Sequence, residues 1–349
     1  MTEPDPQGDS MTFGLASFGT ATGVPVPVAD VVDEYSEDRE RILAYQYRNV
    51  MRATPEVGLT DLAVEAGSRA LVTGGTSPAD IDLVVLAITD IAEYLYWDPA
   101  ADVAHRLGCD RAEAVMISQA CTSGVVSLDT VAGRFATHTQ YQQALVVAAN
   151  RTCETYWNRL DTQPMVFSDG AAATLARRDH PRLRWLATET VTDGRYAGFY
   201  RLEAGGAATP FGGPELAADA LQAGDAWSVL EFFDYDADRF EAFADLIEQR
   251  TCEVVDLACA RAGCTASELA RLVMLSDNST ALTATAKKLG VPIDRTNLEL
   301  ALDYGHLGAA DQFFCLAHHD EDGDLCDGDR VALVSRGRGM HWGCTILQV

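Results

Sequence analysis

Two hydrophobic patterns alternate along the chain. Unbroken apolar runs at Ile81–Ile88 (IDLVVLAI), Val115–Ala120 (VMISQA), Ala144–Ala149 (ALVVAA) and Gly170–Ala176 (GAAATLA) are separated by stretches of helical spacing at Leu62–Val72, Ala100–Leu107 and Val125–Thr137. An apolar run without polar alternation predicts a strand covered on both faces, and the intervening helices supply the cover. Gly108 marks the end of one such helix. Before these, MTFGLASFGTATG from Met11 reads as a first strand ending in a Gly-rich turn, Glu37–Met51 as a polar helix, and residues 1–11 as a disordered tail.

The second half repeats the order. Leu183–Glu189 predicts a strand, Ala237–Ala262 a long helix, Ala270–Leu275 a strand and Ala281–Leu289 a helix; after Gly305 come a helix at Asp311–His319 and strands at Arg330–Ser335 and Cys344–Val349. The parallels extend to sequence: PADIDLVVLAITD matches ASELARLVMLSDN, and QQALVVAAN matches GDRVALVSR. Two such halves, 12–180 and 181–349, packed together predict a five-layered α/β/α/β/α architecture. The duplication is far too long for a solenoid repeat. Residues 192–235, rich in Gly, Ala and aromatics, read as an insertion over the surface or the site mouth. The acidic stretch Asp320–Asp329 reads as a solvated connection, since it lacks the closing Glu of a calcium loop.

Composition narrows the function. Lys+Arg 26 against Asp+Glu 52 gives a net charge of −26 over 349 residues, which repels a phosphate backbone and argues against nucleic acid as a partner. No apolar run is long enough to span a bilayer, and MTEPDPQGDS has no signal-peptide pattern, so a cytoplasmic protein is expected. Nine cysteines without CxxC or Cys/His spacing predict neither a disulfide framework nor a metal site. No complete phosphate-cradling glycine motif supports a nicotinamide cofactor.

One cysteine stands apart. Cys121 directly follows the buried run VMISQA and precedes the helix TSGVVSLDTVA, a strand-to-helix elbow that sets its sulfur near a helix N-terminus, where free N–H groups favour a thiolate. That is the position of a nucleophile.

QACTSGVVSLDTVAGRF, with VFSDGAAATLARR, TATAKKLGVPIDR and the terminal GRGMHWGCTILQV, resembles the thiolase-fold ketosynthase III family through most of the chain after residue 60. The resemblance implies a thiolase-like α/β fold, a cysteine nucleophile, coenzyme A or phosphopantetheine thioesters as acyl donors with no permanently bound cofactor, and a homodimer paired through the ALVVAA strand. In that family the cysteine works with a histidine and an asparagine that hold the thioester oxygen during decarboxylation. Counted on this chain, the histidine position falls on Leu275 and the asparagine position on His306. The family's adenine-phosphate arginine falls on Thr280, and its N-terminal tryptophan–arginine pair has no match. By resemblance the oxyanion donors are the backbone N–H groups of Cys121 and Arg338, the latter within Gly337-Arg338-Gly339 where the family has three glycines.

These departures change the chemistry expected. Leucine moves no proton, whereas one imidazole beside the cysteine can serve as a general base toward an incoming hydroxyl or amine. Asp311 is the first candidate to orient His306, with Asp277 and Asp303 as rivals. The expected activity is therefore acyl transfer from a coenzyme A or carrier-protein thioester, through a Cys121 acyl-enzyme, to a small-molecule acceptor such as a sugar hydroxyl or amine in antibiotic-type biosynthesis. The alternatives are a decarboxylative 3-oxoacyl-[acyl-carrier-protein] synthase III and a degenerate partner subunit; an intact elbow at Cys121 argues against the last.

Overall fold

The computed structural model describes residues 12–161, 164–202, 205–211 and 231–349. The expected tail 1–11 and part of the expected insertion lie outside them. Eleven strands are described: β1 (Phe13–Thr22), β2 (Val24–Pro27), β3 (Asn49–Arg52), β4 (Leu83–Ile88), β5 (Glu113–Ile117), β6 (Gln143–Asn150), β7 (Gly170–Arg178), β8 (Arg184–Thr192), β9 (Arg271–Val273), β10 (Arg330–Gly337) and β11 (His341–Gln348). The order β5-β4-β6-β7-β1 is followed by β8-β11-β10-β9, and the two sets meet through one pair, Gly14 with Arg184.

The duplication is written in this order. β1 is antiparallel to β7, β7 antiparallel to β6, and β6 parallel to β4, which is parallel to β5. In the second set β8 is antiparallel to β11, β11 antiparallel to β10, and β10 parallel to β9; a parallel bridge between Leu272 and Thr296 stands where the fifth strand would.

Strand residues serve two cores in turn. Leu83, Val85 and Ala87 face a middle layer with Leu128, Val131 and Phe135 of the Ser123–Thr137 helix and Phe313 and Leu316 of the Asp311–Glu321 helix, while Val84, Leu86 and Ile88 face an outer layer with Leu62, Ala66 and Ala70 of the Leu59–Thr73 helix. In the second sheet Val331 and Leu333 point to the middle layer. Ala332 and Val334 point out, toward Val254, Val255 and Ala258 of the Ala237–Arg261 helix. Both faces being covered explains the unbroken apolar runs, and the layers stack α/β/α/β/α as expected. The Ser123–Thr137 helix packs closely against the turn Gly308–Ala310 that leads into the Asp311–Glu321 helix: a Cβ on Gly124 would lie 2.1 Å from the Ala309 carbonyl oxygen, so only glycine fits there.

Several expected elements differ. The polar helix expected at Glu37–Met51 is instead one short helix, Arg39–Ala44, and then β3 paired with β2, and a further short helix, Val28–Tyr35, precedes that span. The chain turns at Gln46, whose φ is +69°, and β3 then buries Val50 and Met51. The strand expected at Val115–Ala120 runs Glu113–Ile117, so the elbow holds three residues between strand end and Cys121. β8 reaches Thr192, and β11 begins at His341. The ALVVAA strand is β6, hydrogen-bonded to β4 on one side and β7 on the other, and has no edge left for a second copy. The edge of that sheet is β5, where Met116 is exposed.

Candidate active site

Cys121 sits where β5 has left the sheet and the Ser123–Thr137 helix begins. Ala120 takes a left-handed φ of +50°, which turns the chain sharply enough to present Cys121 to a cavity. The turn is tied from several directions: Thr122 Oγ1 donates to the Gln119 carbonyl (2.5 Å), Ser123 Oγ donates to the Ile88 carbonyl (2.9 Å) and accepts from the Gln119 N–H (2.7 Å), and Ser335 Oγ donates to the Cys121 carbonyl (2.7 Å). A Cβ on Gly337 would lie 2.7 Å from the Gln119 oxygen and 3.2 Å from the Cys121 nitrogen. The end of β10 therefore runs against the Cys121 amide.

His306 is fully buried and clamped by its backbone. Its N–H donates to the Val166 carbonyl (2.7 Å) and its carbonyl accepts from the Ser168 N–H (2.8 Å), which fixes the ring edge-on to Phe167 at 5.1 Å. Nε2 lies 3.1 Å from Cys121 Sγ, and Nδ1 lies 2.6 Å from Asp311 Oδ2. Asp311, also fully buried, accepts two further bonds, from the N–H groups of Leu307 (2.7 Å, on Oδ1) and Ser276 (2.7 Å, on Oδ2). A carboxylate with three donors is held in one orientation, and it assigns the Nδ1 proton of His306. Burial alone would depress the His306 pKa; the charges on Asp311 and the Cys121 sulfur, with hydrogen bonds to both, outweigh it and leave the imidazole well above its usual value.

Of the three aspartates considered for orienting the ring, Asp311 touches it, whereas Asp277 is paired with Arg336 and Asp303 with Arg48. Leu275 is buried and lines the same cavity as Cys121 and His306. The cavity, of about 460 Å³, is walled largely by apolar side chains, among them Trp157, Phe167, Phe199, Tyr200 and Phe243. Arg338 also lines it, its Nη2 donating to the Thr89 carbonyl at 2.6 Å. Beneath the site a buried ion network braces the chain: Arg159 pairs with Asp169 (3.1 Å) and Glu154 (2.7 Å), and Asp169 also receives the Thr152 and Ala53 N–H groups.

Thr89 and Asp90 belong to the cavity and were not among the expected site residues. A signal existed, because they directly follow the buried strand β4, and the carboxyl ends of parallel strands are where sites in α/β sheets form.

Comparison with known proteins places this geometry in a family. Residues 116–194 match the 3-oxoacyl-[acyl-carrier-protein] synthase III family, and residues 259–349 match its C-terminal domain. Among solved structures, the acyltransferase ChlB3 superposes with a TM-score of 0.83 at 22% identity over 97% of both chains. The 3-oxoacyl-(acyl carrier protein) synthase III of Pseudomonas aeruginosa superposes with 0.77 at 23% identity, over 97% of this chain and 98% of its own. These likenesses establish a thiolase-like α/β fold. Two curated relatives, both named β-ketoacyl-[acyl-carrier-protein] synthase III, are closer in sequence: that of Gloeobacter violaceus is 32% identical over 83% of each chain, and that of Thermosynechococcus vestitus is 31% identical over 92% of this chain and 91% of its own. Two family matches and an identity above 30% sustained over most of the length have one reading: the chain belongs to the β-ketoacyl-[acyl-carrier-protein] synthase III family of acyl-transferring enzymes.

Proposed function

We propose that this enzyme transfers an acyl group from a coenzyme A or carrier-protein thioester, through a Cys121 acyl-enzyme, to a hydroxyl or amine of a small-molecule acceptor such as a sugar in natural-product biosynthesis. The observation that carries the reading is the line of contacts Cys121 Sγ, His306 and Asp311, with Leu275 in place of a second proton-handling group. His306 Nε2 takes the thiol proton as sulfur attacks the thioester carbonyl; the tetrahedral oxyanion is received by the backbone N–H groups of Cys121 and Arg338, and collapse expels the carrier thiol with the proton returned. In the second half Nε2 takes the acceptor's proton, the new C–O or C–N bond forms, and the C–S bond breaks to restore Cys121. Asp311 keeps Nδ1 protonated and the ring aimed throughout. A homodimer, joined through the exposed edge strand β5, belongs to the same reading.

A second reading is decarboxylative condensation, favoured by the names of the curated relatives and by the priming β-ketosynthase among the structural neighbours. That chemistry needs donors aimed at an enolate oxygen, and removal of one such donor costs about 3–4 kcal/mol. Leu275 donates nothing. The deciding experiment incubates the enzyme with acyl and malonyl thioesters and a panel of alcohols and amines, following intact mass, carbon dioxide and products. An adduct absent from Cys121→Ala and resolved into esters or amides is expected; carbon dioxide release with a 3-ketoacyl product at comparable rate refutes the assignment.

A further inference from the structure

Three arginines line the cavity around Cys121, and their surroundings differ. Arg41 is paired with Asp38 and Asp161, and Arg336 with Asp277. Among the described residues no carboxylate comes within ion-pair distance of Arg338, whose guanidinium makes one bond, to the Thr89 carbonyl. Its other N–H donors border a cavity whose walls are mainly apolar. A guanidinium carries five donors in a planar fork, and a partly desolvated charge of this kind is best satisfied by a carboxylate taken two bonds at a time.

The placement says which part of a substrate would bring that carboxylate. Gly337, next to Arg338 in the chain, lies against the Cys121 amide, and Thr89, which holds the guanidinium, is next to Ile88, whose carbonyl anchors Ser123 two residues beyond Cys121. An acceptor must meet His306 Nε2, on the side walled by Phe167 and Trp157. An acyl group carried on Cys121 Sγ lies in the same cavity, whose lining beside the Cys121 turn includes Thr89, Asp90 and Arg338.

Resting on the acyl-enzyme reading above, we propose that Arg338 is a specificity-determining residue that selects acyl groups carrying a second, free carboxylate. Asp90 tempers the selection. Its carboxyl accepts from the Ile91 N–H (2.8 Å) and the Cys153 N–H, while burial pushes its pKa up and Arg338 pulls it down. When ionised, it repels an incoming carboxylate from the same cavity.

The test isolates the first half-reaction. Succinyl and butyryl thioesters of coenzyme A, matched in carbon number, are offered separately without acceptor, and labelling of Cys121 is timed by intact mass. Succinyl labelling should be faster by roughly tenfold or more, the effect of one charge-assisted hydrogen bond. Arg338→Leu should collapse that ratio toward one, Arg338→Lys should retain part of it, and Asp90→Asn should raise it. Equal labelling in the parent enzyme, or a ratio unchanged in Arg338→Leu, overturns the inference while leaving the acyl-enzyme reading in place. Loss of affinity for carboxylate-bearing acceptors in Arg338→Leu, with the labelling ratio intact, assigns the carboxylate to the acceptor and overturns it equally. Labelling by neither thioester overturns both readings.

Discussion

Replacing Asp311 by asparagine tests the line of contacts at its far end, and the structure fixes what the change must cost. The native carboxylate receives three N–H donors: His306 Nδ1 and Ser276 N on Oδ2, and Leu307 N on Oδ1. An asparagine has one carbonyl oxygen and one amide NH₂, so one of these positions must set donor against donor. The cheaper orientation keeps the oxygen toward His306 and Ser276 and leaves the buried Leu307 N–H opposed, at about 1–3 kcal/mol of stability. The second cost falls on chemistry. His306 exchanges an anionic partner for a neutral one, losing a charge-assisted bond of about 1.5–3 kcal/mol, or roughly 10- to 150-fold in rate at 1.36 kcal/mol per decade. With Asp311 neutralised, burial also weighs more heavily on the imidazole and its pKa falls, so the acid limb of acyl transfer should move to lower pH. Timed intact-mass labelling of Cys121, transfer rates across pH, and urea denaturation of parent and variant provide the three readings. A variant that labels within about twofold of the parent, with an unshifted transfer profile, would refute the role given to Asp311.

Three further outcomes are expected. Because the folded pKa of His306 is raised, its stabilising contribution is complete below the unfolded value of about 6.5 and is lost as pH climbs through the higher folded value; the stability gap between parent and His306→Gln, measured by urea midpoints, should therefore narrow as pH rises, and a widening gap contradicts the sign. Gly337→Ala would bring a methyl within 2.7 Å of the Gln119 oxygen and force β10 off the elbow, costing about 1–3 kcal/mol in stability and slowing labelling; a melting temperature and labelling rate equal to the parent's would show that the close approach is relaxed. The pair Leu275→His with His306→Asn restores a histidine–asparagine arrangement, and carbon dioxide release from malonyl thioesters should rise while acyl transfer falls; no gain in release would mean that something other than these two donors blocks condensation.

Much of the layered fold was legible because strands covered on both faces announce themselves as unbroken apolar runs. The elbow at Cys121 was readable for the same reason, a buried run passing at once into helical spacing. Asp311 was readable only as one of three aspartates, since what separates it from Asp277 and Asp303 is which arginines those two meet, Arg336 and Arg48, each from a distant element. Hydropathy could not rank β5 and β6, because burial between layers makes an edge strand look like a central one; the order of pairing decides, and it put β5 outside. β2 and β3 escaped because four-residue strands owe their existence to each other and to the Ser168 hydroxyl that accepts the Met51 N–H. Arg338 and Thr89 lie 249 positions apart, and no local pattern joins them.

The contact between Gly124 and Ala309 has a meaning beyond packing. Gly124 lies three residues beyond Cys121, and Ala309 three beyond His306, each on the segment that carries one of these two side chains. The missing methyl thus acts as a spacer gauge: the thickness of one backbone seam between the duplicated halves sets the sulfur-to-nitrogen gap of 3.1 Å. Neither half holds both partners of that contact, since Cys121 and His306 arrive on opposite sides of the seam. Any substitution that swells it, however remote from the cavity mouth, would open the Cys121–His306 contact before it unfolded either half.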